Sequence, residues 1–168
     1  MSVPTSGLPV QERLLAAFNF LAAHHVMSLG LDAGGTPHSC SLMYVHEGFT
    51  LSWMSDPASH HSRIIDAAGS APAAVTVAPD YKDFRIIRGL QMSGVASRAD
   101  LLDAATALAP FARRYAFFAD DKSATLTAAM AKAKVYRFIP THATFIDNTA
   151  GFGSATTFDG DDLATLPP

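Results

Sequence analysis

Residues 25–55 read HVMSLGLDAGGTPHSCSLMYVHEGFTLSWMS. Three strand-like runs are separated by DAGGTP and HEG, and both interruptions carry turn chemistry. The runs 25–32, 37–46 and 49–55 therefore predict an antiparallel meander. Nothing else in the chain restricts the fold as strongly.

The flanking segments extend this pattern. PVQERLLAAFNFLAAHH predicts a helix, with Pro9 at its first position and one face made by Val10, Leu14, Leu15, Phe18 and Leu21. PASHHSRIIDAA predicts a short helix over about 57–68, and PAAVTVAP a buried strand. IIRGLQMSGVASRAD predicts a long strand, with Gly89 and Gly94 at a bulge or a close backbone approach. Two or three helical pieces follow, broken near Pro110 and Asp120–Asp121. KVYRFIPTHATFIDN closes the pattern with two strands meeting at Pro140.

Residues 1–8 are expected to be an irregular lead and 154–168 an irregular tail. With no internal repeat and no linker, residues 1–168 predict a single domain. Six short, mostly antiparallel strands with interspersed helices predict a small β-barrel, α+β in class and mainly β. A barrel of this size is filled by its own side chains. A ligand must then lie on an outer face or against a second subunit, so cofactor binding predicts a dimer.

Hydrophobic residues make up 49% of the 168 and charged residues 16%, enough for a real core. A formal net charge of −3 does not suggest non-specific nucleic-acid binding. One cysteine, Cys40, cannot form an internal disulfide, which fits a reducing compartment. The N-terminus has no signal-peptide pattern and no apolar run is long enough for a membrane span. These features predict a soluble cytoplasmic protein.

The chemistry-bearing candidates cluster at SWMSDPASHHSRII. Ser55 or Asp56 can cap the short helix and Pro57 can take its first turn. At about 100° per residue, Ser59, Ser62 and Arg63 share one side, with His61, Ile64, Ile65 and Ala68 on the other and His60 between. A helix start with arginine beside it suits a phosphate, and a solvated capped helix with incidental histidines suits the same letters. In TPHSCSLMYV, Ser39 and Ser41 alternate with Cys40 and Leu42, either to carry a flat ligand or as an ordinary half-exposed strand. Gln91 could bond a ring edge or face solvent.

The seven histidines, 24, 25, 38, 46, 60, 61 and 142, show no metal-ligand spacing, so no metal site is expected. No nucleophile motif is present, and Cys40 reads as a packing residue. Asn148, Thr149, Gly151 and Gly153 predict a tight turn that leaves Phe152 free to pack. Arg113 and Arg114 are candidates for the mouth of a cleft.

Taken in order, the first helix, SLGLDAGGTPHSCSLMYV, FTLSWMSDPASHHSRII, PAAVTV and GLQMSGVA resemble the pyridoxamine-5'-phosphate-oxidase-like family of FMN-binding split β-barrels. The likeness covers residues 10–148, and FIDNTAGFG resembles a small bacterial branch of it. It implies a six-stranded antiparallel split β-barrel of Greek-key type with flanking helices. It also implies a homodimer with FMN between the barrels, acting as an oxidoreductase on a small organic substrate. The strand motif that lies along the flavin falls on Ser39, Cys40, Ser41 and Tyr44. The aromatic-Thr pair ending the third strand matches Met54 and Ser55. The phosphate-gripping Ser-Arg-Lys matches Ser59, His60 and His61, the arginine of Lys-x-Arg-Asn relatives matches Arg63, and a flavin-contacting Gln matches Gln91.

Two departures matter. Histidines stand where the oxidase has Arg and Lys, so the grip carries less charge at neutral pH. The C-terminal Trp…Arg motif is absent, which argues against pyridoxamine phosphate as substrate. No catalytic side chain is called for, because FMN would supply the redox chemistry. A non-catalytic flavin or haem carrier, or a deazaflavin-dependent reductase, fits the same residues. His61 is placed differently by the two arguments: on the apolar flank by the helical wheel, at the phosphate by the resemblance.

Overall fold

The computed structural model describes residues 9–121 and 123–165. The first helix, α1 (Val10–Ala23), leads into β1 (Val26–Asp32), β2 (Pro37–Met43), β3 (Val45–Glu47) and β4 (Thr50–Ser55). Helix α2 (His60–Ala68) then precedes β5 (Ser70–Val77) and β6 (Arg88–Arg98). Helices α3 (Leu101–Arg114), α4 (Phe117–Asp120) and α5 (Ala124–Lys132) follow, and β7 (Lys134–Asp147), β8 (Ala155–Asp159) and α6 (Gly160–Leu163) complete the order. The class is α+β, as predicted.

The strands form one antiparallel sheet in the order β2-β1-β5-β6-β7-β4-β3. Strand β7 pairs along its length with β6, while its other edge serves β4 with its first half and β8 with its second. The described residues hold eight strands rather than the six expected. The run 37–46 breaks at Tyr44 into β2 and β3, and part of the supposed tail forms β8 and α6. Pro140 does not divide β7, because the sheet takes up the irregularity as a bulge in the β6 pairing. The expected lead, residues 1–8, and the last three residues lie outside the described ones.

Gly94 sits at that bulge. A Cβ there would lie 2.1 Å from the Ile139 carbonyl oxygen and 2.8 Å from Pro140 Cα, so only glycine fits. Gly89 is different: an added Cβ would make ordinary contacts at 3.6 Å and 3.8 Å.

Alternation sorts the side chains. In β5, Ala71, Ala73, Val75 and Val77 point inward while Pro72, Ala74 and Thr76 point out. The barrel interior is filled by Trp53, Tyr136, Phe138, Phe145 and Phe158, with Leu14, Ala17, Phe20 and Leu21 of α1 packed on it. Each such large apolar side chain contributes about 1.5–3 kcal/mol on burial. The α1 stripe therefore includes Ala17 and Phe20, whereas Val10 and Leu15, expected on it, are exposed.

A second, smaller core of Val45, Ala107, Phe111, Tyr115 and Val135 fastens α3 to the sheet, and Arg137 of β7 pairs with Asp103 of α3. Among the described residues no helix is long and apolar enough to cross a membrane.

Candidate functional site

The end of β4 and the start of α2 build the site. The N-cap is Ser59 rather than Ser55 or Asp56, and the helix begins at His60. Ser59 Oγ accepts from the Ser62 backbone N–H at 3.4 Å and donates to Ser62 Oγ at 2.8 Å. Asp56 instead accepts from the Ala58 N–H, holding the turn before the helix.

His61 turns inward from the first turn. Its Nε2 meets Ser55 Oγ at 2.6 Å and Ser59 Oγ at 3.1 Å. The residue is 9% exposed. Burial, and then the neighbouring His38 and His60, hold its pKa below the ordinary imidazole value. The wheel was right that His61 is buried, yet the ring still reaches the two serines that the resemblance picked out. The wheel misplaced Ser62, which is fully buried rather than beside Arg63 on the outer side.

His60 and Arg63 face outward. They line an open cleft of about 810 Å³ together with Asp32, Ile64, Ala67 and Pro72. Thus the matched phosphate set divides: Ser59 and His61 are engaged with each other, while His60 and Arg63 remain on the cleft.

Strand β2 contributes to both sides of the sheet. His38, Cys40 and Leu42 alternate with the exposed Ser39, Ser41 and Met43. The His38 ring meets the His60 ring edge-on, with centroids 4.6 Å apart. His38 Nε2 is buried with no hydrogen-bond partner. Ligand-capable atoms of His38, Cys40 and His61 all lie within 4.8 Å of one another. The sequence predicts no metal site, and the fold gathers three ligand-type side chains that no histidine spacing shows. The signal was present as His-x-Cys, two residues on one strand face, but the third member comes from a helix and no local spacing shows it.

On the outer face a polar row crosses six strands: Ser41, Ser28, Thr76, Gln91, Thr144 and Thr157 are register partners in turn. Gln91 therefore shares the row of Ser41 but lies three strands away, roughly 14 Å at ordinary strand spacing. Within one chain it does not join the α2 cluster.

Met54 and Ser55 line a second cavity, of about 330 Å³, with Ser41, Phe111, Phe117, Phe118 and Met130. The helices that close this cavity were legible in the sequence as helices, but not as its wall.

Tyr44 lies on neither surface. It is fully buried, and its hydroxyl donates to the Leu21 carbonyl at 2.7 Å. Burial pushes its pKa up. Its backbone N–H donates to Tyr115 Oη at 3.1 Å, and that hydroxyl donates back to the Tyr44 carbonyl. The matched role of Tyr44 beside a flavin does not fit this placement. Arg114 covers the Tyr44 ring and bonds the His24 carbonyl, so it does not stand at a cleft mouth. Arg113 instead lines a small pocket near His46 and Arg137. The tight turn at Asn148 forms as expected: Asn148 bonds the Phe84 carbonyl and the Gly153 N–H, and exposed Phe152 packs edge-on to Phe84.

The curled antiparallel sheet with its flanking helices is the pyridoxamine-5'-phosphate-oxidase-like split-barrel fold. No family model matches the sequence, and no curated protein matches it. Solved structures do. A haem-binding protein from Mycobacterium smegmatis is 17% identical with a TM-score of 0.71, the match covering 94% of this chain and 61% of that one. The present chain thus spans about three fifths of that protein's length. A Clostridium acetobutylicum protein of the pyridoxinephosphate oxidase family, related to general stress protein 26, is 11% identical with a TM-score of 0.64, covering 92% and 99%. An FAD-binding protein from Mesorhizobium loti is 16% identical with a TM-score of 0.60, covering 82% and 94%.

Proposed function

We propose that this chain binds FMN and uses it as a cytoplasmic oxidoreductase acting on a small organic substrate. The observation that carries the reading is the pairing of Arg63 and His60 on one cleft at the first turn of α2. A helix start attracts an anion, and arginine grips phosphate with a planar fork of donors at any pH. Asp32, the acidic group on that cleft, is engaged by the Gly35 N–H at 2.6 Å. Ser59, His61 and Ser62 act behind this grip by fixing the helix start.

The polar row carries short side chains at Ser41, Ser28 and Thr76, as a ring lying on the sheet requires, and continues to Gln91. FMN would bring the electron and hydride chemistry; the residues named here bind and orient it. The same outer face exposes Val26, Met43, Val95 and Ile139, which supports a homodimer closing over the ring. A dimer also explains how Gln91, too distant within one chain, could contribute to the flavin site. The likeness to a haem-binding protein supports haem as a second reading.

The test is a titration of purified protein with FMN and with riboflavin, read by quenching of flavin fluorescence. FMN should bind at least about tenfold more tightly than riboflavin, a difference of roughly 1.4 kcal/mol from the phosphate. Arg63→Gln should erase that preference. Absence of flavin binding, or equal binding of the two, would overturn the proposal, and a Soret band in fresh protein would move it to haem.

A further inference from the structure

We propose that His38, Cys40 and His61 form a binding site for a borderline divalent transition metal, with Zn²⁺ as the ion the ligand set fits. The site stands independently of flavin binding. Two elements bring it together. The two-residue repeat of β2 puts His38 and Cys40 on one face, and the first turn of α2 lowers His61 onto them. Their ligand atoms lie within 4.8 Å of one another. A tetrahedral site with bonds of about 2.0–2.3 Å needs ligand separations of about 3.5 Å, which side-chain rotation can supply.

The environment suits a metal better than simple packing. His38 Nε2 is buried with no hydrogen-bond partner, and leaving such an atom unsatisfied is costly. A metal ion would satisfy it. His61 is held in place by Ser55 and Ser59, so its ring is oriented before any ion arrives. Burial lowers the His61 pKa and raises that of the Cys40 thiol. A divalent cation reverses that second effect: the thiol loses its proton to solvent as the sulfur–metal bond forms, with no change of oxidation state. Two imidazoles and one thiolate select Zn²⁺ or its neighbours over Mg²⁺ and Ca²⁺, which take oxygen ligands. Three protein ligands leave a fourth position open, the pattern of sites that hold an exchangeable ligand.

The experiment uses the full chain, stripped with a chelator and titrated with Co²⁺ and then Zn²⁺. One Co²⁺ per chain should bind with a thiolate-to-cobalt charge-transfer band in the near ultraviolet, and Zn²⁺ should abolish the band. Zn²⁺ should also protect Cys40 from alkylation, a readout that needs no variant. Cys40→Ala should lose the band, and His38→Gln should weaken Zn²⁺ at least about 100-fold, beyond the roughly 10–100-fold that outer-shell changes cost. Circular dichroism of the metal-free variants confirms that each is folded. A wild-type protein with no band and no protection would overturn the site, as would a folded Cys40→Ala that binds Co²⁺ as tightly as wild type. Flavin titration of the same stripped protein reads the other proposal separately.

Discussion

Ser55 Oγ, at the end of β4, lies 2.6 Å from His61 Nε2 in the first turn of α2. This contact joins a strand end to a helix start across the turn held by Asp56. It also fixes which histidine is structural. His61 faces the protein, and His60 next to it faces the cleft.

A pH dependence of stability follows. Burial first, then the nearby His38 and His60, lower the pKa of His61 from 6.5. His46 is lowered too, by burial and by Arg114, against the raising hydrogen bond that its Nδ1–H donates to the Gly48 carbonyl. Below about 6.5 the unfolded chain takes up protons that the folded chain does not. Stability is therefore full above that value and falls as pH drops below it. Melting temperature measured with chelator from pH 7.5 to 5 should decline, and His61→Gln should flatten the decline. A melting temperature that rises on acidification would contradict the assignment.

Flavin affinity should depend on a different residue. His60, on the cleft with Arg63, can offer a ring N–H to the phosphate. His60→Ala should weaken FMN and leave riboflavin affinity unchanged, read by flavin fluorescence quenching. If His60→Ala leaves FMN affinity unchanged and His61→Gln weakens it, the outward and inward roles are reversed.

The hydroxyl of Tyr115 ties the α3 end to the β2–β3 corner. It receives the Tyr44 N–H and lies within bonding distance of the Tyr44 and His25 carbonyls, at 2.5 Å and 3.0 Å. Tyr115→Phe keeps the ring packing against Phe111 and removes only these bonds. The Tyr44 N–H keeps a long bond to the His25 carbonyl at 3.3 Å, so the loss is that of ordinary hydrogen bonds, about 0.5–1.5 kcal/mol. Chemical denaturation should show a loss in that range with an unchanged denaturant slope; a loss below about 0.5 kcal/mol would mean that water replaces the hydroxyl.

The sequence made the meander and the α2 cluster legible because both depend on local order. Turn residues separate β1, β2 and β4, and Ser59 with His61 falls within one helical turn. What it did not show depends on distant partners. Tyr44 reads as part of a ligand-facing strand, yet Leu21, Tyr115 and Arg114 enclose it from segments far along the chain. His61 joins His38 and Cys40 only because α2 folds back over β2. The tail reads as irregular from its Gly, Thr and Asp content. Pairing with the second half of β7 gives Thr156 and Phe158 an edge to extend, and Asp159 caps α6 through the Asp161 and Asp162 N–H groups.

Gly94 and Gly89 offer a matched pair on one strand. Both were singled out by the sequence for the same reason, but only Gly94 has backbone against it, with the Ile139 carbonyl 2.1 Å from where a Cβ would be. Backbone cannot rotate away as a side-chain tip can, so Gly94→Ala must open the β6–β7 bulge. Overpacking of this kind costs about 1–3 kcal/mol, which at this chain length lowers the melting temperature by roughly 2–4 °C per kcal/mol. Gly89→Ala adds a methyl group at ordinary contact distance and gives up backbone freedom in the unfolded chain, so it should be neutral or slightly stabilising. Thermal melts of the two variants beside wild type decide the point. Equal effects at both positions would mean that the bulge is not where the strands are held apart by the missing side chain.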